Sequence, residues 1–473
     1  MRTVFSSPFR AFRTCLLLSH LRSTSRKARQ SQHYQNQIRG FSCTTALMSH
    51  SPKDDNSSHH LYEPIEGVEK LESYRVGGYH PMTIGDHIHN RYQVVQKLGH
   101  GTYSTIWLVR DQKDGKYVAI KVCTADSNPL EFNVLSELSN SQQTSSPSLG
   151  KTLIPSVLDR FEIQGPNGAH PCYVTVPARM SLSEAKDASY NRLFQLEVAR
   201  ALAAQLVLAV EYVHSQGFVH GDLHAGNVLL QLPFDLSQLS VEGLYKKYGE
   251  PEFEAIRRFD GQPLPPNIPS RAVSPIWLGE ASDKLKLLDA KILLSDLGEA
   301  FSPTRQQRFE SHTPLVSRPP EVRFEPHKPM SFPSETWSLG CSLWNIIGQN
   351  SLFDGMFATE DSITCEQVDA LGMLPLEWWH KWEGRHSRFT DDGKPINRVP
   401  YRSWEDRFEQ YMQEPRQRKG MPRIEPAEKD AIFKMLKPML KFRPENRSSV
   451  KQILECEWMV NWALPEYEKI QRI

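Results

Sequence analysis

One short segment carries polar side chains at a spacing that could do chemistry. Residues 218–230 read FVHGDLHAGNVLL and lie between a long amphipathic run and an apolar, strand-like run. Asp222 is a carboxylate that could accept the proton of an attacking hydroxyl, and Asn227, five residues later, offers an amide oxygen to Mg²⁺. His220 would brace the loop by packing. The spacing H-x-D-x-x-x-x-N therefore indicates phosphoryl transfer.

A second carboxylate follows another apolar run. Residues 293–300 read LLSDLGEA, with Asp296 between that run and Gly298. Carboxylate oxygen is a hard ligand of the kind that Mg²⁺ prefers. Asp296 and Asn227 are therefore the predicted metal ligands. The seven scattered cysteines contain no C-x-x-C pair, so they indicate neither a zinc site nor a disulfide framework.

A glycine turn earlier in the chain is a candidate phosphate-binding loop. Residues 91–106 read RYQVVQKLGHGTYSTI. Glycines in such a turn let backbone N–H groups approach phosphate oxygens without interference from a Cβ atom. The residues predicted to surround the nucleotide here are Leu98, Gly99, His100, Gly101, Thr102, Tyr103, Ser104, Thr105 and Ile106.

A lysine in an apolar strand completes the candidate nucleotide site. Residues 117–122 read YVAIKV, and Lys121 would be costly in this setting unless it were paired. Its expected partner is Glu131 on the following helix, with Glu137 as the alternative. Lys121 would then contact the α- and β-phosphates of ATP.

Three elements must position these groups. An apolar stripe at Leu130, Val134, Leu135 and Leu138 predicts the helix that carries Glu131. A second helix, residues 196–214, would end just before the catalytic segment. A third element is a hinge near residues 176–179; the resemblance described next implies that the backbone of Val176 and Ala178 binds adenine there, with Thr175 at the back of the pocket.

Taken together, residues 74–458 resemble the eukaryotic protein kinase family. The matching motifs are V-A-I-K at 118–121, D-L-G at 296–298, SRPPEV at 317–322, SETWSLGC at 334–341 and FRPENRSSV at 442–450. The resemblance implies an α+β, bilobal fold with an antiparallel sheet and one helix in the N-lobe and a mainly helical C-lobe. It also implies ATP and Mg²⁺ as cofactors, serine or threonine hydroxyls of proteins as acceptors, and a buried pair between Glu321 and Arg447.

Within that family the chain resembles the SR-protein kinases, as a divergent, fungal-type member. Four features carry this likeness: YRVGGYH at 74–80, the D-L-G element, an insertion at about 231–287, and the segment at 352–379. The resemblance implies Arg/Ser-rich substrates linked to mRNA processing. Residues 351–377 contain six acidic residues and no Lys or Arg, so they are either a docking surface for basic peptides or a solvated acidic face.

Three positions depart from the family pattern. Ser104 replaces the third glycine of the nucleotide loop, and His224 replaces a lysine that lies near the γ-phosphate. His224 is kept among the predicted catalytic residues. A histidine in place of the lysine could leave the γ-phosphate with one positive charge fewer beside it. Gly221 replaces the arginine that clamps a phosphorylated activation loop. We therefore predict activity that does not require phosphorylation of that loop.

Two other classes of function remain open from the residues. A pseudokinase scaffold is one, because of the changes at 104 and 224. A small-molecule kinase of the aminoglycoside or choline type, or an atypical mitochondrial kinase linked to quinone synthesis, is the other, because HGDLHAGN suits those families too. The motifs of the C-terminal half argue against the second class.

The predicted organisation is a basic leader at 1–60, an N-terminal extension at 61–91, an N-lobe at 92–176, a C-lobe at 177–462 with inserts at 231–287 and about 352–425, and a tail at 463–473. The leader has no acidic residue before Asp54, which is typical of a mitochondrial transit peptide. The protein would be mitochondrial if residues 1–41 are translated, and cytoplasmic and nuclear if Met48 is the start. A net charge of +1 and short apolar runs predict no direct nucleic-acid binding and no membrane span, and we expect a monomer.

Overall fold

A six-stranded antiparallel sheet forms the N-lobe of this computed structural model, which describes residues 61–140, 149–354, 358–396 and 403–472. The predicted leader lies outside these ranges. The strand order is β1-β2-β3-β4-β6-β5. The strands are β1 (His87–Ile88), β2 (Tyr92–Gly101), β3 (Ser104–Asp111), β4 (Tyr117–Cys123), β5 (Asp159–Gly165) and β6 (Gly168–Thr175).

Alternating apolar residues explain this sheet. Val94, Trp107, Val109 and Ile120 point into one N-lobe core cluster, as expected for strands with one buried face. Helix α1 (Leu130–Asn140) buries Val134, Leu135 and Leu138 of the predicted stripe. This stripe holds the helix against the core of the molecule.

The C-lobe is built around a long buried helix. In chain order the remaining helices are α2 (Leu182–Asp187), α3 (Leu196–Ser215), α4 (Val241–Tyr248), α5 (Glu321–Phe324), α6 (Phe332–Ile347), α7 (Glu360–Leu371), α8 (Leu376–Lys381), α9 (Trp404–Phe408), α10 (Glu414–Arg418), α11 (Pro426–Met439), α12 (Val450–Leu454) and α13 (Leu464–Gln471). Helix α3 is alanine-rich and buried along most of its length, so α6, α12 and α13 pack closely around it. The predicted bilobal α+β fold is confirmed.

Five short strands complete the architecture: β7 (Ala178–Ser181), β8 (Val228–Gln231), β9 (Phe253–Ala255), β10 (Arg271–Val273) and β11 (Ile292–Leu294). Three of them form a second sheet in the order β11-β8-β7, and β9 pairs with β10. The tail predicted at 463–473 is instead mostly helix α13, whose Tyr467 and Ile470 are buried in the main core. The C-lobe therefore continues through Gln471 rather than ending at residue 462.

The insertion after β8 packs mainly on the N-lobe, although it follows a C-lobe strand in the chain. Its helix α4 contributes Leu244 to a cluster with Val95, Leu108 and Tyr117 of the sheet. Its β9–β10 hairpin pairs antiparallel, and residues 256–270 between those strands contain neither helix nor strand, as the proline-rich composition predicts. Across the described ranges, no helix is long and apolar enough to span a membrane.

Candidate active site

The pairing of β8 with β11 brings the two predicted metal ligands together. Their register places Val228 opposite Leu294, so Asn227 before β8 and Ser295 after β11 become neighbours. The Ser295 N–H donates to the Asn227 carbonyl at 2.9 Å. Asp296 follows directly in a left-handed conformation, with φ of 61°. Its exposed carboxylate lies 3.6 Å from Lys121 Nζ.

Asp222 lies in the same loop with one oxygen available. Asn227 Nδ2 donates to the Asp222 backbone carbonyl at 2.9 Å and lies 3.4 Å from Oδ2. The other oxygen, Oδ1, is buried and has no hydrogen-bond partner among the described residues. Burial opposes ionisation, but the neighbouring His224, followed by His220 and Asn227, lowers the pKa of Asp222 below its ordinary value. A hydroxyl could therefore approach an ionised acceptor.

His224 faces this carboxylate with a defined ring orientation. Its Nδ1 accepts a hydrogen bond from the Gly226 N–H at 3.1 Å, which leaves Nε2 as the protonated nitrogen of the neutral ring. Nε2 lies 3.7 Å from Asp222 Oδ2. The imidazole thus lies beside the predicted base, at the position where the family has a lysine.

A buried carboxylate beneath the loop holds its backbone. Glu335 of α6 accepts from the Gly221 N–H at 3.0 Å and from His214 Nε2 at 2.6 Å. Burial raises the pKa of Glu335, yet the hydrogen bond and charge of His214, with His220 and Gly221, lower it overall. The sequence showed Glu335 only as a variant of a structural motif, and its contact with the catalytic loop was missed.

Lys121 joins the two lobes. Its ammonium group is ion-paired with Glu131, the first of the two predicted partners, and lies 3.6 Å from Asp296 Oδ1. Burial disfavours the charge, but the attraction of Glu131, Tyr173 and Asp296 raises the pKa of Lys121 well above its ordinary value. The group stays protonated, as a contact to nucleotide phosphates requires.

The predicted phosphate loop is a β2–β3 hairpin. Gly99 pairs with Ile106, His100 with Thr105, and Gly101 with Ser104. Thr102 and Tyr103 form the exposed tip, whereas Ser104 and Thr105 are buried. Ser104 therefore replaces the third glycine on the inner side of the hairpin, and its short side chain fits there.

The predicted hinge links the lobes at the end of this sheet. Thr175 closes β6 and pairs with Ala119 of the V-A-I-K strand. Val176 is exposed, and Ala178 opens β7. Two residues, Val176 and Pro177, therefore separate the N-lobe sheet from the C-lobe strand.

These residues fit a magnesium ion by the chemistry of their donors. Asp296 offers an exposed carboxylate, and Asn227 commits its Nδ2 to Asp222, which leaves its amide oxygen as the ligand atom. Both are hard oxygen donors. Mg²⁺ bound there would neutralise phosphate charge, while Lys121 and the hairpin would hold the rest of the nucleotide.

Comparison with known proteins agrees with this geometry. Residues 92–236 match the family model described as the protein kinase domain. Those residues therefore carry a protein kinase domain. A serine/threonine protein kinase of Aspergillus fumigatus is 27% identical over 407 residues, which cover 83% of this kinase and 90% of that protein.

Other relatives of this kinase carry names of the SR-protein kinase type. The serine/threonine-protein kinase SRPK of Physarum polycephalum is 25% identical, over 86% of this chain and 94% of its own. The human SRSF protein kinase 3 is 34% identical, but over 35% of this chain and 30% of its own. These relatives support a serine/threonine protein kinase that is SR-protein-kinase-like.

The activation segment of this kinase, residues 299–316 between the D-L-G and SRPPEV motifs, is held by ion pairs of its own arginines. Leu297 of the D-L-G element is buried in the main core. Arg308 donates to the Glu299 carbonyl at 3.0 Å and is ion-paired with the Glu299 carboxylate. Arg305 is ion-paired with Glu137 of α1 at 2.8 Å. The fallback partner for Lys121 thus has another role.

The acidic run at 351–377 is largely neutralised within the kinase. Four of its six carboxylates are ion-paired: Glu360 and Asp361 with Arg323, Glu366 with Arg407, and Glu377 with Arg443. The arginines come from other parts of the fold, which a count along the chain does not show. The run therefore attracts basic peptides less strongly than its composition alone indicates.

A buried ion pair closes the base of the C-lobe, as the motifs predicted. Arg447 Nη1 donates to Glu321 Oε1 at 2.7 Å, and Arg447 Nη2 donates to Glu321 Oε2 at 2.6 Å. Its other donors reach the backbone carbonyls of Lys441, Pro333 and Phe442. This confirmed pair belongs to the structural set that argued against a small-molecule kinase.

Proposed function

We propose that this serine/threonine protein kinase uses Asp222 as the base that accepts the proton of the substrate hydroxyl. The observation that carries the proposal is the buried, unpartnered Asp222 Oδ1 beside an assembled Lys121–Glu131–Asp296 set. A pseudokinase would not need these three charges in contact across the two lobes. In this proposal His224 orients Asp222 rather than meeting the phosphate as a fixed cation.

In the same proposal ATP lies between the β2–β3 hairpin and the hinge. The hairpin residues 98–106 surround the phosphates, Lys121 contacts the α- and β-phosphates, and the backbone of Val176 and Ala178 holds adenine. Asp296 and Asn227 hold Mg²⁺, which supplies positive charge to the transferred phosphoryl group. The transfer then depends mainly on positioning and electrostatic stabilisation.

We further propose Arg/Ser-rich proteins of mRNA processing as the substrates. Support comes from relatives whose names denote SR-protein kinases and from the matching insertion and nucleotide-loop approach. The acidic run contributes less, because most of its carboxylates already have arginine partners.

One experiment tests both parts. Wild-type kinase and Asp222→Asn are assayed with Mg·ATP on a peptide array containing Arg-Ser repeats, Lys-Ser repeats and neutral serine peptides. Loss of the base should lower turnover by roughly 10²–10⁴-fold. Asp235→Asn is the matched control, because Asp235 is an exposed residue that caps the turn at Leu236–Gln238, outside the catalytic loop, and it should retain full activity.

The outcomes separate the alternatives. Equal activity of wild type and Asp222→Asn would overturn the assigned base, and no turnover by either would favour a pseudokinase. Transfer to neutral serine peptides as fast as to Arg-Ser repeats would refute the substrate class alone. Transfer to an aminoglycoside or choline, with none to peptides, would favour a small-molecule kinase.

A further inference from the structure

The N-terminal extension contacts the tip of the nucleotide hairpin. The hydroxyl of Tyr79 is within hydrogen-bond distance of the backbone carbonyls of Gly101, at 2.7 Å, and Thr102, at 3.0 Å. These carbonyls lie at the turn between β2 and β3. Tyr79 belongs to the YRVGGYH segment, to which the nucleotide and catalytic roles assign no function.

The backbone of Tyr79 is fixed from two directions. Its N–H donates to the Ser73 carbonyl at 3.0 Å, and Asn167 Nδ2 at the β5–β6 turn donates to its carbonyl at 2.7 Å. The bend before it requires glycine, since a Cβ on Gly78 would lie 1.8 Å from the Ser73 carbonyl oxygen. The position of the tyrosine is therefore set by the chain around it.

The ring of Tyr79 is equally constrained. It is 4% exposed and lies 5.5 Å from the ring of Tyr74, centroid to centroid. Its cluster also contains Ile256, Ile268 and Ala272 of the insertion after β8. A side chain packed on all sides loses little further rotamer entropy when it makes a hydrogen bond.

A second contact holds the stem of the same hairpin. Lys97, directly before the predicted nucleotide residues, is buried and ion-paired with Glu69 of the extension. Its backbone carbonyl accepts from the Ile276 N–H of the insertion at 2.8 Å. The extension and the insertion thus grip one hairpin at both its stem and its tip.

We propose that Tyr79 is a positioning residue for the phosphate-binding hairpin. By binding carbonyls at the tip, it restricts the rotation of the adjoining peptide groups whose N–H groups would meet the phosphates. A hairpin ordered before ATP arrives spends less binding free energy on its own ordering. The inference rests on the proposed nucleotide role of the hairpin and adds the residue that pre-organises it.

The test compares two buried tyrosines that each lose one hydroxyl. Tyr79→Phe removes the tip contact, and Tyr92→Phe is the control, because the Tyr92 hydroxyl donates to Asp159 at 2.7 Å in the same lobe. Calorimetry measures the binding of a non-hydrolysable ATP analogue with Mg²⁺ and, separately, of adenosine. Tyr79→Phe should weaken the analogue about three- to tenfold, the range of one hydrogen bond, and leave adenosine unchanged.

Several readouts distinguish positioning from mere support of the fold. Gly101 and Thr102 are exposed, so water can replace the hydroxyl and Tyr79→Phe should fold, as its melting temperature will show. Backbone amides of residues 102–105 should exchange hydrogen faster in that variant and not in Tyr92→Phe. Equal weakening of both ligands, or no weakening of the analogue, would overturn the inference. Failure of wild type to bind the analogue would instead count against the proposed function.

Discussion

Gly221, one residue before the proposed base, has less free space than Gly226, the other glycine of the catalytic loop. Its φ is +84°, and a Cβ there would lie 2.2 Å from the backbone carbonyl oxygen of Glu299. The arginine that the family pattern has at this position could not be introduced without moving the activation segment. The two backbones thus pass too closely for the side chain of that clamp, and Glu335 holds the loop here by accepting a hydrogen bond from the Gly221 N–H.

A matched pair of glycine variants tests this at the residue scale. Gly217 has nearly the same φ, +82°, but a Cβ there would meet nothing within 4 Å. Both Gly→Ala changes incur the roughly 1–2 kcal/mol cost of a left-handed L-residue, and Gly221→Ala adds a backbone collision. We expect Gly221→Ala to lower the free energy of unfolding by about 2 kcal/mol more than Gly217→Ala, as measured by urea titration. Equal losses would show that the loop can move aside.

The activation segment, taken as an element, carries the positive charges that other kinases bring to a phosphate from outside it. Its Arg305 and Arg308 find carboxylates at Glu137 and Glu299. Arg308 and Glu299 are mostly buried, so their pair is less screened by solvent than the exposed pair of Arg305. The segment is therefore held by side chains that are present as soon as the chain folds.

Phosphatase treatment should accordingly leave the activity of the pure kinase unchanged within about twofold. The reason is that the ion pairs holding the segment need no phosphate. Ser302 and Thr313 are 7% and 3% exposed, which also makes them poor acceptors in this conformation. Activity is measured before and after treatment, with mass spectrometry to follow phosphate. A loss of activity that tracks dephosphorylation of Ser302, Thr304, Ser311 or Thr313 would contradict the prediction. Arg308→Ala serves as the positive control for a loosened segment.

On the scale of the whole molecule, segments distant in sequence are tied by contacts that cross between lobes or between helices. The insertion after β8 leaves the C-lobe and packs on the N-lobe sheet, and Lys121 meets Asp296 across the cleft. Beneath the C-lobe, Arg447 is joined to Glu321 and to three backbone carbonyls. Arg447 thereby links α5, which follows the activation segment, to α6.

Arg447→Ala should therefore destabilise the kinase strongly, by about 3–5 kcal/mol, because it leaves the Glu321 carboxylate buried without its partner. Arg472→Ala is the control: its pair with Glu468 is exposed on both sides, and its loss should change stability by less than about 1 kcal/mol. Thermal unfolding of the two variants measures the difference. Similar melting temperatures would refute the view that the buried pair supports the C-lobe.

The side chains proposed for catalysis and metal binding could be singled out from the chain alone, because each lies in a short local pattern. Lys121 in an apolar strand, Asp222 and Asn227 five residues apart, and Asp296 before a glycine all depend on neighbours within a few positions. The helix carrying Glu131 followed from a stripe of apolar residues, and its ion pair with Lys121 is present. The bilobal fold was implied by the resemblance of those motifs to the protein kinase family.

Contacts between distant segments were decided by tertiary packing. Nothing in residues 351–377 reveals that arginines from three other segments neutralise the acidic run, and the helix in the tail is stabilised by a core that the tail does not itself contain. Tyr79 reaches the hairpin tip, and Gly221 passes Glu299, through backbone positions set by strand register and lobe packing. Such distances arise from the sum of many long-range contacts, whereas the spacing of a motif is a property of the chain itself.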